Sequence, residues 1–275
     1  MADEAKVTWS ALDDDDLLAS VQRTFGAVEV AQYYDEWTER YEAVFGDVFQ
    51  HLKAVDREEL FDHMAQVAEV SAATRVLDAG CGVCGPAIEF AARSHASIDA
   101  VTVSPGQADR AREHVAERGY SERIRVHVGD FHHLDESFGS DFDLVYFLES
   151  LVHAAEPADV IESAHAVLRP GGVLYIKDFY RGQSPDDPAY QRVIDECVAA
   201  TNEICRLTIR NSADVLGWIE AAGFDIEVAQ PLAVSAYSID DGHEFCERYD
   251  LDVAAGRDFR NTFYLENLEI RARRR

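Results

Sequence analysis

The spacing of apolar positions changes character near residue 74. Ahead of it, residues 28–63 carry apolar side chains at helical intervals, and many are aromatic: Tyr33, Tyr34, Trp37, Tyr41, Phe45 and Phe49 among them. The four aspartates at 13–16, followed by Leu17, Leu18 and Val21, start an earlier helix, because acids favour the positive end of a helix. Beyond residue 74, apolar runs at 74–78, 97–103, 124–128, 142–148 and 173–179 read as strands. Helical patterns over 86–94, 105–118 and 157–168 separate them. Such alternation predicts parallel strands joined by helical crossovers. Residues 186–208 read as a helix that returns to the N-terminal elements, and strands at 224–229 and 262–270 bring the sheet to seven. The expectation is an α/β fold, a doubly wound and mostly parallel seven-stranded sheet with an N-terminal helical cap. The cap spans 1–70 and the core 71–275, with a cap insertion near 183–210. The closing RARRR is expected as a solvated end.

One turn carries the chemistry. Residues 76–86, VLDAGCGVCGP, take a buried strand through a glycine-rich bend directly into a helix. This Rossmann-like arrangement lets backbone approach a ligand where a Cβ would obstruct it. Asp78 stands before the first glycine and can accept hydrogen bonds from a cationic amino-acid group, while Gly80, Cys81 and Gly82 leave room for a cofactor body. No Walker lysine follows, which argues against a nucleoside-triphosphate loop. After the second strand, where an acid usually takes ribose hydroxyls, the chain has Thr102, Val103 and Ser104, then Gln107. After the third come Asp130 and Phe131; Asp130 either accepts from an adenine amino group or caps a turn. Cys81 and Cys84 form a CxxC without a second ligand pair, so no metal is expected there.

Charge narrows the ligand class. Twenty-five Lys and Arg against 52 Asp and Glu leave a net charge of −27, which repels nucleic acid and anionic membranes at long range. Five cysteines without disulfide-like spacing, no apolar leader at the N-terminus and no spanning run predict a cytoplasmic protein without membrane insertion. Self-association is left open.

The DAGCG at 78–82 and the LRPGG at 168–172 resemble the motifs of class I S-adenosylmethionine-dependent methyltransferases, and more narrowly the branch of sterol side-chain and prenyl-diphosphate C-methyltransferases. YYDEWTERYEAVFG at 33–46 is similar to the tyrosine-rich region of the sterol enzymes, and VTVSPGQADRAR at 101–112 to the second-strand motif of this branch. YFLESLVHA at 146–154 places Glu149 and Ser150 at that branch's Glu-Ser pair. That branch commonly has glycine where this chain has Cys84. The resemblance implies S-adenosyl-L-methionine as cofactor and methylation of an alkene carbon of an isoprenoid, either a prenyl diphosphate or a terpenoid. Glu149 would then remove a proton from the resulting cation, with His153 orienting it and Tyr33, Tyr41 and Phe179 lining the substrate. Ion pairing or amine binding by Glu149, and simple packing by His153, are the competing readings. A diphosphate head would call for Mg²⁺ or a basic cluster, for which Arg181, Arg192, Arg206 and His51 are candidates. The alternatives are N- or O-methylation of another small metabolite, or a cofactor-binding protein without catalysis.

Overall fold

A computed structural model describes residues 7–275; the first six residues, including part of the segment read for a leader, lie outside the described residues. The strands are β1 (Arg75–Ala79), β2 (Ser97–Thr102), β3 (Ile124–Val128), β4 (Phe142–Leu148), β5 (Leu168–Arg181), β6 (Phe224–Gln230) and β7 (Leu265–Arg274). They form one sheet in the order β3-β2-β1-β4-β5-β7-β6. The pairings among β1 to β5 are parallel, and β7 runs antiparallel between β5 and β6.

Alternation along each strand divides the core into two faces. Val76, Ile98, Leu144 and Tyr175 point to one side, where they pack with α3 (Arg57–Val67), α4 (Gly85–Ala92) and α5 (Pro105–Glu117). Their neighbours Leu77, Val145 and Leu174 point to the other, against α7 (Pro157–Val167) and α9 (Ser212–Ala221). The short α6 (Leu134–Ser137) lies between β3 and β4. A third cluster gathers α1 (Asp14–Gln22) and α8 (Pro188–Cys205) with Val152 and Phe179, at the carboxyl ends of β4 and β5. There α2 (Ala27–Phe45) and α10 (Asp240–Arg248) also meet, through Trp37, Tyr41 and Phe245.

Two local expectations are corrected. The helical stretch of 28–63 breaks in two, because Gly46 ends α2 at φ +67°, and Asp56 caps α3 by accepting from the Glu58 N–H at 2.9 Å. Between them Lys53–Ala54 pairs with Tyr237–Ser238 as a two-residue ladder. The arginine tail is not a solvated end, for β7 carries Arg271 and Arg273 inside the sheet. Ile270 and Ala272 face the core while Arg271 and Arg273 pair with Glu227 on β6, at 3.0 and 2.7 Å. Among the described residues, no helix is long and apolar enough to cross a membrane.

Candidate active site

The bend after β1 is built around its first glycine. The N–H groups of Gly80 and Cys81 both donate to the Val101 carbonyl, at 2.9 and 2.8 Å, which folds the chain back against β2. Gly80 has φ +97°, and a Cβ there would stand 2.4 Å from Cβ of Ser150, so only glycine fits. Ser150 donates its hydroxyl to the Ala79 carbonyl at 2.6 Å, tying the end of β4 to the same bend. Cys84 sits at φ +67° as the N-cap of α4, with its side chain fully buried in the core beneath the loop. Its substitution for glycine therefore adds nothing to the ligand side. One residue on, a Cβ on Gly85 would lie 1.8 Å from the Asp47 carbonyl, which marks where the segment after α2 crosses the loop.

A cavity of about 830 Å³ opens above this bend. Asp78, Gly80, Cys81 and Gly82 form its floor, with Thr102, Val103 and Gln107 at the end of β2 and Asp130 and Phe131 after β3. Burial pushes the Asp78 carboxyl up to about 7, and its Oδ2 has no hydrogen-bond partner among the described residues. Thr102 donates its hydroxyl to Gln107 Oε1 at 2.8 Å, which fixes the orientation of that amide. Asp130 caps the turn Phe131–His133 through Oδ1, accepting from the His132 N–H at 3.0 Å and bonding its Nδ1 at 2.6 Å. Burial alone would raise its pKa, but the two bonds from His132 outweigh it and hold the carboxyl below its ordinary value. Ser104 does not reach this cavity. It is fully buried, caps α5 by accepting from the Gln107 N–H at 2.9 Å, and donates to Asp35 of α2 at 2.5 Å.

A second cavity of about 710 Å³ adjoins the first. Tyr34, Phe49, Gln50, Glu149 and His153 line both and form the wall between them. Beyond that wall the surfaces are aromatic, with Tyr41, Phe45, Phe179, Phe245, Phe259 and Tyr264. Among the described residues, no lysine or arginine lines this space. Tyr41 and Phe179 are thus in the lining, whereas Tyr33 is not: it lies behind Tyr41, the two hydroxyls 2.9 Å apart.

Glu149 closes β4 in the left-handed region at φ +52°, a conformation that a non-glycine residue adopts only when its surroundings hold it there. Its carboxylate forms a buried ion pair with Lys177 of β5 and accepts from the backbone N–H of His51 at 2.5 Å and of Leu52 at 3.3 Å. Lys177 Nζ also donates to Gln50 Oε1 at 3.0 Å and to the Leu52 carbonyl. His153 does not bond Glu149. Its Nδ1 lies 3.0 Å from the Arg206 carbonyl, which can only accept, so Nδ1 carries the proton. Burial pulls its pKa down to about 4, and the neutral Nε2 accepts the Tyr34 hydroxyl at 2.8 Å.

Residues 76–172 match a family described as a methyltransferase domain. The chain is 30% identical over 208 residues to methyltransferase GfsG of Streptomyces halstedii, an alignment that covers 72% of this chain and 73% of that one. It belongs to the class I S-adenosylmethionine-dependent methyltransferases. Within them it is also 27% identical, over 66% of its length, to the sterol 24-C-methyltransferase erg6 of Aspergillus fumigatus, of which it spans about half (51%). Two solved structures share the fold. The [4+2]-cyclase SpnF superposes with a TM-score of 0.73 at 22% identity, covering 91% of this chain and 97% of that one. Geranyl diphosphate C-methyltransferase from Streptomyces coelicolor gives 0.66 at 18% identity, covering 90% and 98%.

Several residues of this methyltransferase's dividing wall escaped the sequence reading. Tyr34 stands two helical turns before Tyr41 on the same face of α2, a spacing that could have preferred it to Tyr33. A lysine inside the apolar run 173–179 was likewise a visible anomaly, since lysine is rarely buried without a partner. Gln50 left no signal. Of the proposed basic groups, Arg181 pairs with Asp195 at 2.7 Å, Arg192 with Glu196 at 3.1 Å and Arg206 with Glu203 at 3.4 Å. His51 alone of the four lines the second cavity.

Proposed function

We propose that this enzyme methylates an alkene carbon of a neutral, largely apolar isoprenoid. The observation that supports it best is the second cavity: aromatic faces and one carboxylate, with no lysine or arginine among the described residues of its wall. A diphosphate head would meet no fixed cation there, so the reading requires no Mg²⁺.

S-adenosylmethionine fits the first cavity on the chemistry of its walls, because the unpartnered Asp78 Oδ2 offers an acceptor to the ammonium of the cofactor's amino-acid end. Gln107 and Thr102 would take the ribose hydroxyls, and Asp130 the adenine amino group, with Val103 and Phe131 beside the ring. Bound there, the cofactor supplies an electrophilic methyl group. Gly80, Cys81 and Gly82 would let its body lie against the main chain. Of the cap read over 1–70, the described residues 7–70 would cover the acceptor together with the insertion near 183–210.

The remaining chemistry belongs to the dividing wall. Methyl transfer to the acceptor alkene, in which the methyl's carbon–sulfur bond would break with its electron pair staying on sulfur as the new carbon–carbon bond forms, would leave positive charge on the neighbouring carbon. The faces of Tyr41, Phe49 and Phe179 stabilise that charge, and the buried Glu149 carboxylate attracts it. Loss of an adjacent proton to Glu149 restores the alkene. A tertiary cation is so strong an acid that a carboxylate already holding other donors suffices.

The Tyr34–His153 pair favours a second reading, transfer to a hydroxyl oxygen. There the substrate proton would pass to Tyr34 as the Tyr34 proton passes to Nε2 of His153. Incubation with ¹³C-methyl-labelled cofactor and a panel of neutral isoprenoids, followed by mass spectrometry and NMR, separates the two. The alkene reading expects the label on carbon, and a label found only on oxygen overturns it.

A further inference from the structure

We propose that Gln50 provides a fixed hydrogen-bond donor for a ligand oxygen at the junction of the two cavities. Gln50 is 1% exposed, yet it lines both spaces. Its two ends differ. Oε1 accepts from Lys177 Nζ at 3.0 Å, and because an ammonium can only donate, the amide cannot be turned around. Nε2 is therefore the free end, and it has no hydrogen-bond partner among the described residues. A buried N–H₂ group left unpaired is unfavourable, and in folded proteins such a group usually meets a partner in protein, water or ligand.

The anchoring is unusually firm for a glutamine. Lys177 holds the amide oxygen and is itself held by Glu149, while Glu149 accepts from the N–H groups of the two residues that follow Gln50. One buried ion pair thus fixes both the side chain and the main chain next to it. The amide is held in place before any ligand arrives, which lowers the entropy lost on binding.

The ligand group is an oxygen that accepts a hydrogen bond. It has two sources in reach: the carboxylate at the amino-acid end of the cofactor, or a carbonyl or hydroxyl of the methyl acceptor. This inference rests on the cofactor occupying the first cavity and the acceptor the second. Wild-type binding of S-adenosylhomocysteine tests that reading separately, before any variant is made.

Two substitutions isolate the donor. Gln50→Glu keeps an oxygen for Lys177 and removes the N–H₂, and Gln50→Met removes both. Calorimetry would use S-adenosylhomocysteine against methylthioadenosine, which lacks the amino-acid end, and farnesol against its hydrocarbon counterpart farnesene. A loss of about tenfold in affinity for the homocysteine compound but not for methylthioadenosine assigns the donor to the cofactor carboxylate. A similar loss for farnesol but not farnesene assigns it to the acceptor. Should both variants fail to fold, ¹⁵N NMR of the wild type follows the Gln50 side-chain amide itself, whose Nε2 proton resonances should shift with S-adenosylhomocysteine but not methylthioadenosine, or with farnesol but not farnesene. Unchanged affinities in folded variants, or Gln50 amide resonances that neither oxygen-bearing ligand moves, overturn the proposal.

Discussion

Glu149 and Lys177 face each other from the ends of adjacent strands as a buried ion pair, and both reach across to residues 50–52 that follow α2. The pair therefore joins the sheet to the cap as well as furnishing a charge to the acceptor cavity. Removing one partner leaves the other buried and uncompensated, so Lys177→Met should destabilise the fold by about 3–5 kcal/mol in urea unfolding. Glu149→Gln combined with Lys177→Met should recover part of that loss. If Glu149 served the cap alone, the double variant would regain turnover along with stability. The proposed proton acceptor requires that it stay inactive while cofactor affinity returns.

Asp78 links cofactor affinity to pH. Burial raises its pKa from the ordinary 3.8 to about 7 in the empty site, so the protonated form predominates below that value. A cationic ligand needs the carboxylate, and affinity for S-adenosylhomocysteine should fall about tenfold per unit as pH drops below 7. Folding responds in the opposite sense. The folded chain holds this proton more tightly than the unfolded chain does, so the contribution of Asp78 to stability is fully present below pH 3.8 and is lost as pH rises toward 7. Asp78→Asn should accordingly stabilise the ligand-free protein near neutrality, by on the order of a few kcal/mol, while abolishing cofactor affinity. Thermal unfolding and calorimetry on one preparation test both signs. A variant less stable than the wild type at neutral pH would remove burial as the cause.

Gly85 and Gly217 make a matched pair for the contact between the cap segment and the loop. A Cβ at 85 meets the Asp47 carbonyl at 1.8 Å, whereas one at 217, within α9, meets nothing within 4 Å. Gly85→Ala should displace residues 47–48 and weaken cofactor binding at least about tenfold, by calorimetry. Gly217→Ala should instead stabilise the protein by about 0.5–1 kcal/mol, through the lower entropy of the unfolded chain. Equal effects of the two changes would show that crowding at residue 85 is relieved without moving the cap.

The sheet was legible because its signal is repeated: each strand reports its own apolar run, and the loop after β1 reports its glycines. The tail misled because five positions of RARRR were weighed as charge alone, although Ile270, Ala272 and the arginines between them already alternate with the period of a strand. The same limit explains the dividing wall. Whether Glu149 meets a proton or a lysine depends on Lys177, 28 positions away in sequence, and no local pattern connects them. Ser104 shows the converse, since its position after β2 was read correctly but its hydroxyl is occupied by α5 and Asp35.

Tyr34 and His153 divide the two possible acceptor atoms. His153 is neutral at physiological pH, its pKa lowered to about 4 by burial, and Nε2 already accepts the Tyr34 hydroxyl. Because the folded state disfavours the imidazolium, this histidine contributes stability that is present above pH 6.5 and is lost as pH falls toward 4. His153→Gln should therefore blunt acid unfolding over that window. For catalysis, Tyr34→Phe removes the hydroxyl while keeping an aromatic face on the wall. Transfer to an alkene should then persist within a few-fold, because the phenylalanine ring keeps the wall in place and Tyr41, Phe49 and Phe179 still face the cation. Transfer to a hydroxyl should fall by about 100-fold or more, since the proton loses its path to His153. Turnover of each acceptor class by mass spectrometry measures the difference. A large loss confined to the alkene acceptor would contradict both the dispensable hydroxyl of Tyr34 and the assignment of proton removal to Glu149.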